Sequence, residues 1–282
     1  MKYGLHIFAT ETSIQPAEFA KAAEERGFES AWFSEHTHIP VGFLNAGQGE
    51  RKLPDYYWQT YDPFIASALA ASATKKIKIG TGVSLVLEHD LIALAKMVAT
   101  VDQVSGGRFI FGVGPGWLAE EMENHGVQYA TRYQRIAEYL SAMKVIWSEE
   151  EPEFKGVHVN FSKLKAYPKP LQSPHPPVIG GGGARPKTLE MVANHCNGWM
   201  PILGNQGWAA IKGGIAQLQS GEIRADLPAD TIEYSVFCWA PPDEATIADM
   251  GNHGVSKIVL SLEAQSRDAA LQSMDGYAQL LR

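Results

Sequence analysis

Short runs of β-branched and aromatic residues recur along the chain, and after each one apolar positions return at three- and four-residue spacing. That alternation predicts parallel strands joined by helices. The predicted strands are Tyr3–Phe8, Ser30–Ser34, Ile77–Val83, Arg108–Val113, Val178–Gly180, Gly198–Ile202, Ile232–Ala240 and Ser256–Leu262. Helices are predicted at Gln15–Arg26, Asp62–Thr74, Leu91–Val104, Ala119–Asn124, Arg132–Trp147, Lys187–His195, Trp208–Gln219, Asp243–Met250 and Asp268–Leu281. Gly27 stops the first of these, and Pro63 suits the first turn of the second. Eight strands, each followed by a helix, predict an α/β protein built as one (β/α)8 TIM barrel. Periodicity alone leaves a doubly wound open sheet as the alternative.

No low-complexity linker divides the chain, so residues 1–282 are expected to form a single domain. Two stretches break the rhythm. One follows strand 2, from about Thr37 to Tyr61; the other precedes strand 5, from Ser148 to Pro177, with a hairpin expected around Phe154–Val159. Both exceed ordinary connection lengths, which marks them as expected walls or lids of an active site.

Composition narrows the class without naming a function. With 45% hydrophobic and 20% charged residues the chain is ordinary globular protein. A net charge of −7 argues against nucleic-acid binding, which calls for a basic patch. No segment reaches the roughly 18 uninterrupted apolar residues of a membrane helix, and the opening Met1-Lys2-Tyr3-Gly4-Leu5 has no signal-peptide core. Cys196 and Cys238 lie outside any CxxC pattern, so neither a disulfide nor a metal is expected of them. The expected compartment is the cytoplasm.

Chemistry in a barrel gathers just past the carboxyl ends of the strands. After strand 5, Gly180 to Gly183 lead through Ala184 and Arg185 into a helix. Glycines let backbone N–H groups converge on an anion, and the helix start adds partial positive charge, so Gly181, Gly182, Gly183 and Arg185 are candidate phosphate ligands. A tight turn without a ligand is the alternative. Gly112-Val113-Gly114-Pro115-Gly116 fails as a dinucleotide fingerprint because its spacing is wrong and Pro115 intrudes. Gly114 and Gly116 are read instead as a shelf for a flat ring, or as tight packing at a strand–helix corner. His36-Thr37-His38 after strand 2 invites a metal, with His89 and Asp90 as the only further ligands in view. The strands that would complete such a site end in Gly, Pro and Ser, so no metal is expected. His6, inside strand 1, faces either the site or the core.

Taken in order, these segments resemble the luciferase-like monooxygenase superfamily, and within it the oxidoreductases dependent on the deazaflavin coenzyme F420. The resemblance rests on Ala31-Trp32-Phe33-Ser34-Glu35-His36, on Ile79-Gly80-Thr81-Gly82-Val83, and on Val101 to Phe109 continuing into Gly112–Trp117. Arg132, Arg135, Glu138 and Trp147 fit the helix that follows, and Tyr167-Pro168-Lys169-Pro170 leads toward the glycine loop. The resemblance implies hydride transfer. It implies a tricyclic ring in the barrel mouth, supported by a bulge at Gly82–Val83 that often contains a non-prolyl cis peptide. It places the phosphate-bearing tail at Gly181–Gly183 and Arg185, and Glu35 and His36 beside the reacting ring as catalytic residues.

The chain departs from the sugar-phosphate dehydrogenase branch, having Trp117 where that branch carries a glutamate and Pro40 where it carries a tryptophan. Trp117 with Tyr56, Tyr57, Trp58 and Tyr61 suggests an apolar, aromatic substrate pocket, for which His6, Trp58 and Trp117 are the named candidates. The alternatives are an FMN-dependent two-component monooxygenase served by a separate cofactor reductase, and a metal-dependent barrel hydrolase using His36, His38 and His89. Members of the superfamily are commonly homodimers packed through helices near strands 2 to 4.

Overall fold

The computed structural model describes all residues except 46–52, 205, 222, 224–231 and 282. Part of the first interruption therefore lies outside the described residues. Eight parallel strands among the described residues close into a barrel: β1 (Lys2–Ile7), β2 (Ser30–Phe33), β3 (Lys78–Thr81), β4 (Phe109–Gly114), β5 (Val178–Gly181), β6 (Gly198–Met200), β7 (Glu233–Cys238) and β8 (Val255–Ser261). Closure comes from β8 pairing with β1, where His6 stands opposite Ser261 on one side and Trp32 of β2 on the other.

Strands inside a ring of helices are buried on both faces, so alternate side chains enter two different cores. Trp32, Ile110, Ile179, Met200, Phe237 and Val259 fill the barrel interior. The intervening positions, among them Leu5, Ile79, Phe111, Val236 and Leu260, pack outward against the helices. Helix boundaries follow local chemistry. In α1 (Pro16–Glu25) and α2 (Pro63–Ala73) proline occupies the first turn, and the Asp62 side chain accepts from the N–H groups of Phe64 and Ile65. Helix α3 (Leu91–Ser105) starts on an Asp90 cap and ends at Gly106 in the left-handed conformation. No helix among the described residues is long and apolar enough to cross a membrane.

The run that carried much of the resemblance is scaffolding. Arg108 spends all five guanidinium N–H donors on carbonyls and a hydroxyl at the ends of α2 and α3: Ser105, Ala71, Thr74 twice, and Ile77. Asp102, fully buried, accepts from the N–H groups of Leu171 and Gln172 and from the Gln172 amide.

The two interruptions prove different in kind. The first joins a strand to a helix, which puts it at the carboxyl-end mouth. It contains the short helices Val41–Asn45 and Tyr56–Gln59 and is not irregular throughout. The second joins helix α4 (Arg132–Ser148) to β5 and so lies at the opposite, amino-terminal end of the barrel. There Gln172 donates to the Phe109 carbonyl at the start of β4, and Phe111 N–H reaches Pro177. The expectation that this segment walls the active site is therefore corrected: helix-to-strand connections cannot reach the mouth. Its expected hairpin is present as Phe154–Lys155 paired with Asn160–Phe161.

Candidate active site

A cleft of about 660 Å³, open to solvent, occupies the carboxyl-end mouth. Its walls are mostly aromatic and apolar: Phe8 after β1, Tyr57 from the insertion, Trp117 after β4, and Phe237 and Trp239 at the end of β7.

The floor is a bulge. β3 ends at Thr81, the chain passes through a cis Gly82–Val83 peptide, and Ser84–Leu85 rejoins the sheet beside Val113 and Gly114. Neighbouring strands approach the bulge too closely to carry side chains. A Cβ on Gly112 would stand 1.9 Å from the Thr81 carbonyl oxygen; one on Gly114 would stand 2.8 Å from Val83 Cγ2. Gly181, at the end of β5, presses on the other Val83 methyl, where a Cβ would come within 3.0 Å. Val83 is thus gripped between the ends of two strands.

Polar side chains hold the bulge from below. The Ser34 hydroxyl donates to the Gly82 carbonyl at 3.1 Å, so it must accept from His6 Nε2 at 2.6 Å. His6 Nδ1 then accepts from the Ser261 hydroxyl at 3.1 Å. Complete burial keeps the imidazole neutral, pushing the His6 pKa down to about 3, which is what leaves Nδ1 as the acceptor. On the other flank the Glu35 carboxylate accepts from Ser84 Oγ (2.8 Å), Leu85 N–H (2.6 Å) and His89 Nε2 (2.7 Å). Burial alone would lower the His89 pKa, but the bond to Glu35 and its charge outweigh that and raise it.

His36 is held differently. Its Nδ1 lies 2.8 Å from Glu121 Oε2, while Glu121 Oε1 accepts from the N–H groups of Thr37 (3.0 Å) and His38 (3.4 Å). A carboxylate can only accept, so the network assigns the ring proton to Nδ1. In the neutral ring Nε2 is then the lone-pair acceptor, on a side chain that lines the cleft. The His36 ring lies against Tyr57 and Trp117, with centroids 5.2 and 5.8 Å away.

The cleft brings together most of the residues singled out in the sequence. His6, Glu35, His36, Gly82, Val83, Trp117, Gly181 and Gly182 line it. Gly114 lies behind Val83, and Gly116, at positive φ, packs on Met122. Gly183 and Arg185 lie beyond the lining, where the Gln206 side chain takes the Ala184 N–H. Trp58 is outside the cleft, and its neighbour Tyr57 takes the wall position. His36, His38 and His89 are committed separately to Glu121, Asn124 and Glu35. Among the described residues no group of three or more His, Cys, Asp or Glu side chains could hold a metal ion.

Sequence reasoning missed Glu121, Phe8, Phe237 and Trp239. Glu121 had one available signal: an acidic pair in the first turn of the short helix Ala119–Asn124, entering the mouth opposite the histidines of β2.

Comparison with known proteins places this geometry. The family model described as luciferase-like monooxygenase matches residues 11–280. An uncharacterised protein of Mycobacterium tuberculosis is 41% identical over 203 residues, covering 71% of this chain and 72% of that one. An FMNH2-dependent dimethylsulfone monooxygenase of Pseudomonas putida is 33% identical over 216 residues, 76% of this chain and 53% of its own length. An F420-dependent secondary alcohol dehydrogenase, solved in complex with an F420–acetone adduct, shares the fold with a TM-score of 0.75 at 18% identity, covering 99% of this chain and 98% of that one.

Proposed function

We propose that this chain, which belongs to the luciferase-like monooxygenase family and is an oxidoreductase, transfers a hydride between coenzyme F420 and a small apolar or aromatic substrate. The observation that carries the proposal is the Glu121-fixed His36 beside an aromatic cleft. The polar ring and carboxylate atoms of His6 and Glu35 are spent within the protein. Among the titratable side chains lining the described cleft, that leaves His36 Nε2 and the Tyr57 hydroxyl, which burial keeps neutral by raising its pKa. One proton acceptor in an otherwise apolar cleft suits a reaction that moves one hydride and one proton.

The residues present fit a flat tricyclic cofactor. Gly82 and Val83 form a rigid floor, Phe8, Trp117 and Trp239 supply walls, and Gly181 and Gly182 at the cleft edge lead to Gly183 and Arg185, where a phosphate-bearing tail would be held. Bound there, a deazaflavin supplies two-electron hydride chemistry, its central carbon excluding oxygen activation. His36 takes or gives the proton that accompanies the hydride, Glu121 holds the ring in the accepting tautomer, and Glu35 with Ser34 holds the floor. The aromatic walls exclude water and select an apolar substrate.

The similarity to the Pseudomonas putida protein favours a second reading, an FMN-dependent monooxygenase with a separate reductase partner. Fluorescence titration of the purified protein with F420 and, separately, with FMN decides. Saturable preference for F420 is the expected result; preference for FMN moves the protein to the second reading, and binding of neither removes both. We further propose that residues 1–282 act as one cytoplasmic domain and that it works as a homodimer. The exposed Ile65 and Leu69 of α2 and Ile92 and Val104 of α3 are the face available for the dimer.

A further inference from the structure

From His36 a chain of hydrogen bonds that hydride transfer itself does not need runs through the buried Glu121 to the exposed Thr37 and His125. From His36 Nδ1 it runs 2.8 Å to Glu121 Oε2. Glu121 Oε1 is 3.5 Å from the Thr37 hydroxyl, the longest step. That hydroxyl stands 2.9 Å from His125 Nε2, 2.9 Å from His38 Nδ1 and 3.1 Å from Glu88 Oε2. The Glu121 and Glu88 side chains are each 1% exposed, whereas that of His125 is 28% exposed and reaches solvent. Glu88 Oε1 has no partner although it is buried.

A threonine hydroxyl donates one proton and accepts two, so Thr37 can turn its proton toward only one of Glu121, Glu88 or an unprotonated imidazole nitrogen at a time. Rotation of the hydroxyl from one acceptor to another is what a proton-passing junction requires. We propose that Thr37 is the junction of a relay that carries protons between His36 in the cleft and His125 at the surface through Glu121, with Glu88 as a side branch that stores one. The proposal rests on the reading of His36 as the proton-exchanging group.

The transfer balances without any redox step. Nε2 of His36 takes a proton from the cleft, Nδ1 gives one to Glu121, and Thr37 takes one from Glu121 while giving its own to His125. His125 releases a proton to water. Only N–H and O–H bonds form and break, and the reverse sequence delivers a proton. A protonated Glu88 donates to Thr37 and turns the threonine proton toward Glu121. Burial, reinforced by the charges of Glu121 and Glu35, favours that protonated form. The titratable groups facing the relay are Glu35, His36 and His38 after β2, Tyr57 and Asp62 around the insertion, Glu88 and His89 after β3, and Glu121 and His125 after β4.

Exchange of the His36 Nδ1 proton with water tests the relay in the cofactor-free full-length protein. The proton is followed by nitrogen-15 NMR and saturation transfer. In the Thr37→Val and His125→Phe variants the exchange is expected to slow by about tenfold or more, with Thr37→Ser restoring the wild-type rate. Because His125 lies at the surface, its variant keeps the test open if Thr37→Val folds poorly. An unchanged rate in either folded variant overturns the relay, whether or not the protein binds F420. Slowed exchange in a protein that binds neither F420 nor FMN upholds the relay and removes the hydride-transfer reading.

Discussion

The storage branch makes a prediction about stability that needs no ligand. Burial first, and then the charges of Glu121 and Glu35, push the Glu88 carboxyl from its ordinary 4.5 up to about 8, against a downward pull from the Thr37 hydrogen bond. The folded protein therefore holds this proton more tightly than the unfolded chain. Its stabilising contribution is fully present below pH 4.5 and is lost as the pH rises through about 8. Each pH unit in that window removes about 1.4 kcal/mol, and the whole window about 5 kcal/mol. Glu88→Gln keeps the acceptor for Thr37 and cannot ionise. Urea unfolding of both proteins from pH 5 to 9 should show the variant gaining on the wild type by about 1.4 kcal/mol per unit, levelling off above pH 8. Taking the difference cancels the titrations common to both proteins. Parallel stability curves across that range would refute the buried, neutral carboxyl.

Gly114→Ala places a methyl 2.8 Å from Val83 Cγ2. It should weaken cofactor binding in the titration by about tenfold or more, and overpacking should cost about 1–3 kcal/mol in unfolding experiments. Arg108→Ala removes five donors at the far end of the barrel. It should lower stability by about 3 kcal/mol while leaving cofactor affinity unchanged. Ile65→Lys with Leu69→Lys charges the exposed face of α2, which should shift sedimentation equilibrium from dimer to monomer at unchanged far-ultraviolet circular dichroism.

How far the sequence could be read follows from which forces act locally. All eight barrel strands were legible, because strands buried on both faces appear as short apolar runs. The strand expected to run through Val83 ends at Thr81. The reason is non-local: the Thr81 hydroxyl donates to the Gly112 carbonyl and Gly82 N–H to Phe33, which draws the chain out of the sheet. The insertion before β5 was read as an active-site wall from its length alone; its place between a helix and a strand sends it to the other end. The residues forming the resemblance were correctly seen as a set, yet Asp102 and Arg108 serve the scaffold. Glu35, expected beside the reacting ring, lines the cleft, with its carboxylate bonded to Ser84, Leu85 and His89. Glu121 went unassigned because its partner lies 85 residues away, a separation that no period or motif registers.

Two of the histidine–carboxylate pairs at the barrel mouth, each joined by a short hydrogen bond, have the same composition, and their surroundings give them opposite duties. Glu35 receives a hydroxyl and a backbone N–H from the bulge itself, so its pair with His89 fixes the floor. Glu121 receives two backbone N–H groups from the β2 loop and one ring N–H, so its pair with His36 fixes a tautomer. Glu121→Gln tests that distinction with almost no change of shape. The amide oxygen must face the Thr37 N–H, because an NH2 group there would oppose a donor. The NH2 group then meets His36 Nδ1, which has to become an acceptor, and the ring proton moves to Nε2. His36 would then present a donor to the cleft where the wild type presents a lone pair. Nitrogen-15 shifts of the His36 ring should report the exchanged tautomer in the cofactor-free protein. Turnover in the direction that needs a base should fall by about 10²–10⁴ with cofactor affinity retained. A variant that keeps the wild-type tautomer, or that changes tautomer and keeps its rate, would detach Glu121 from the chemistry of His36.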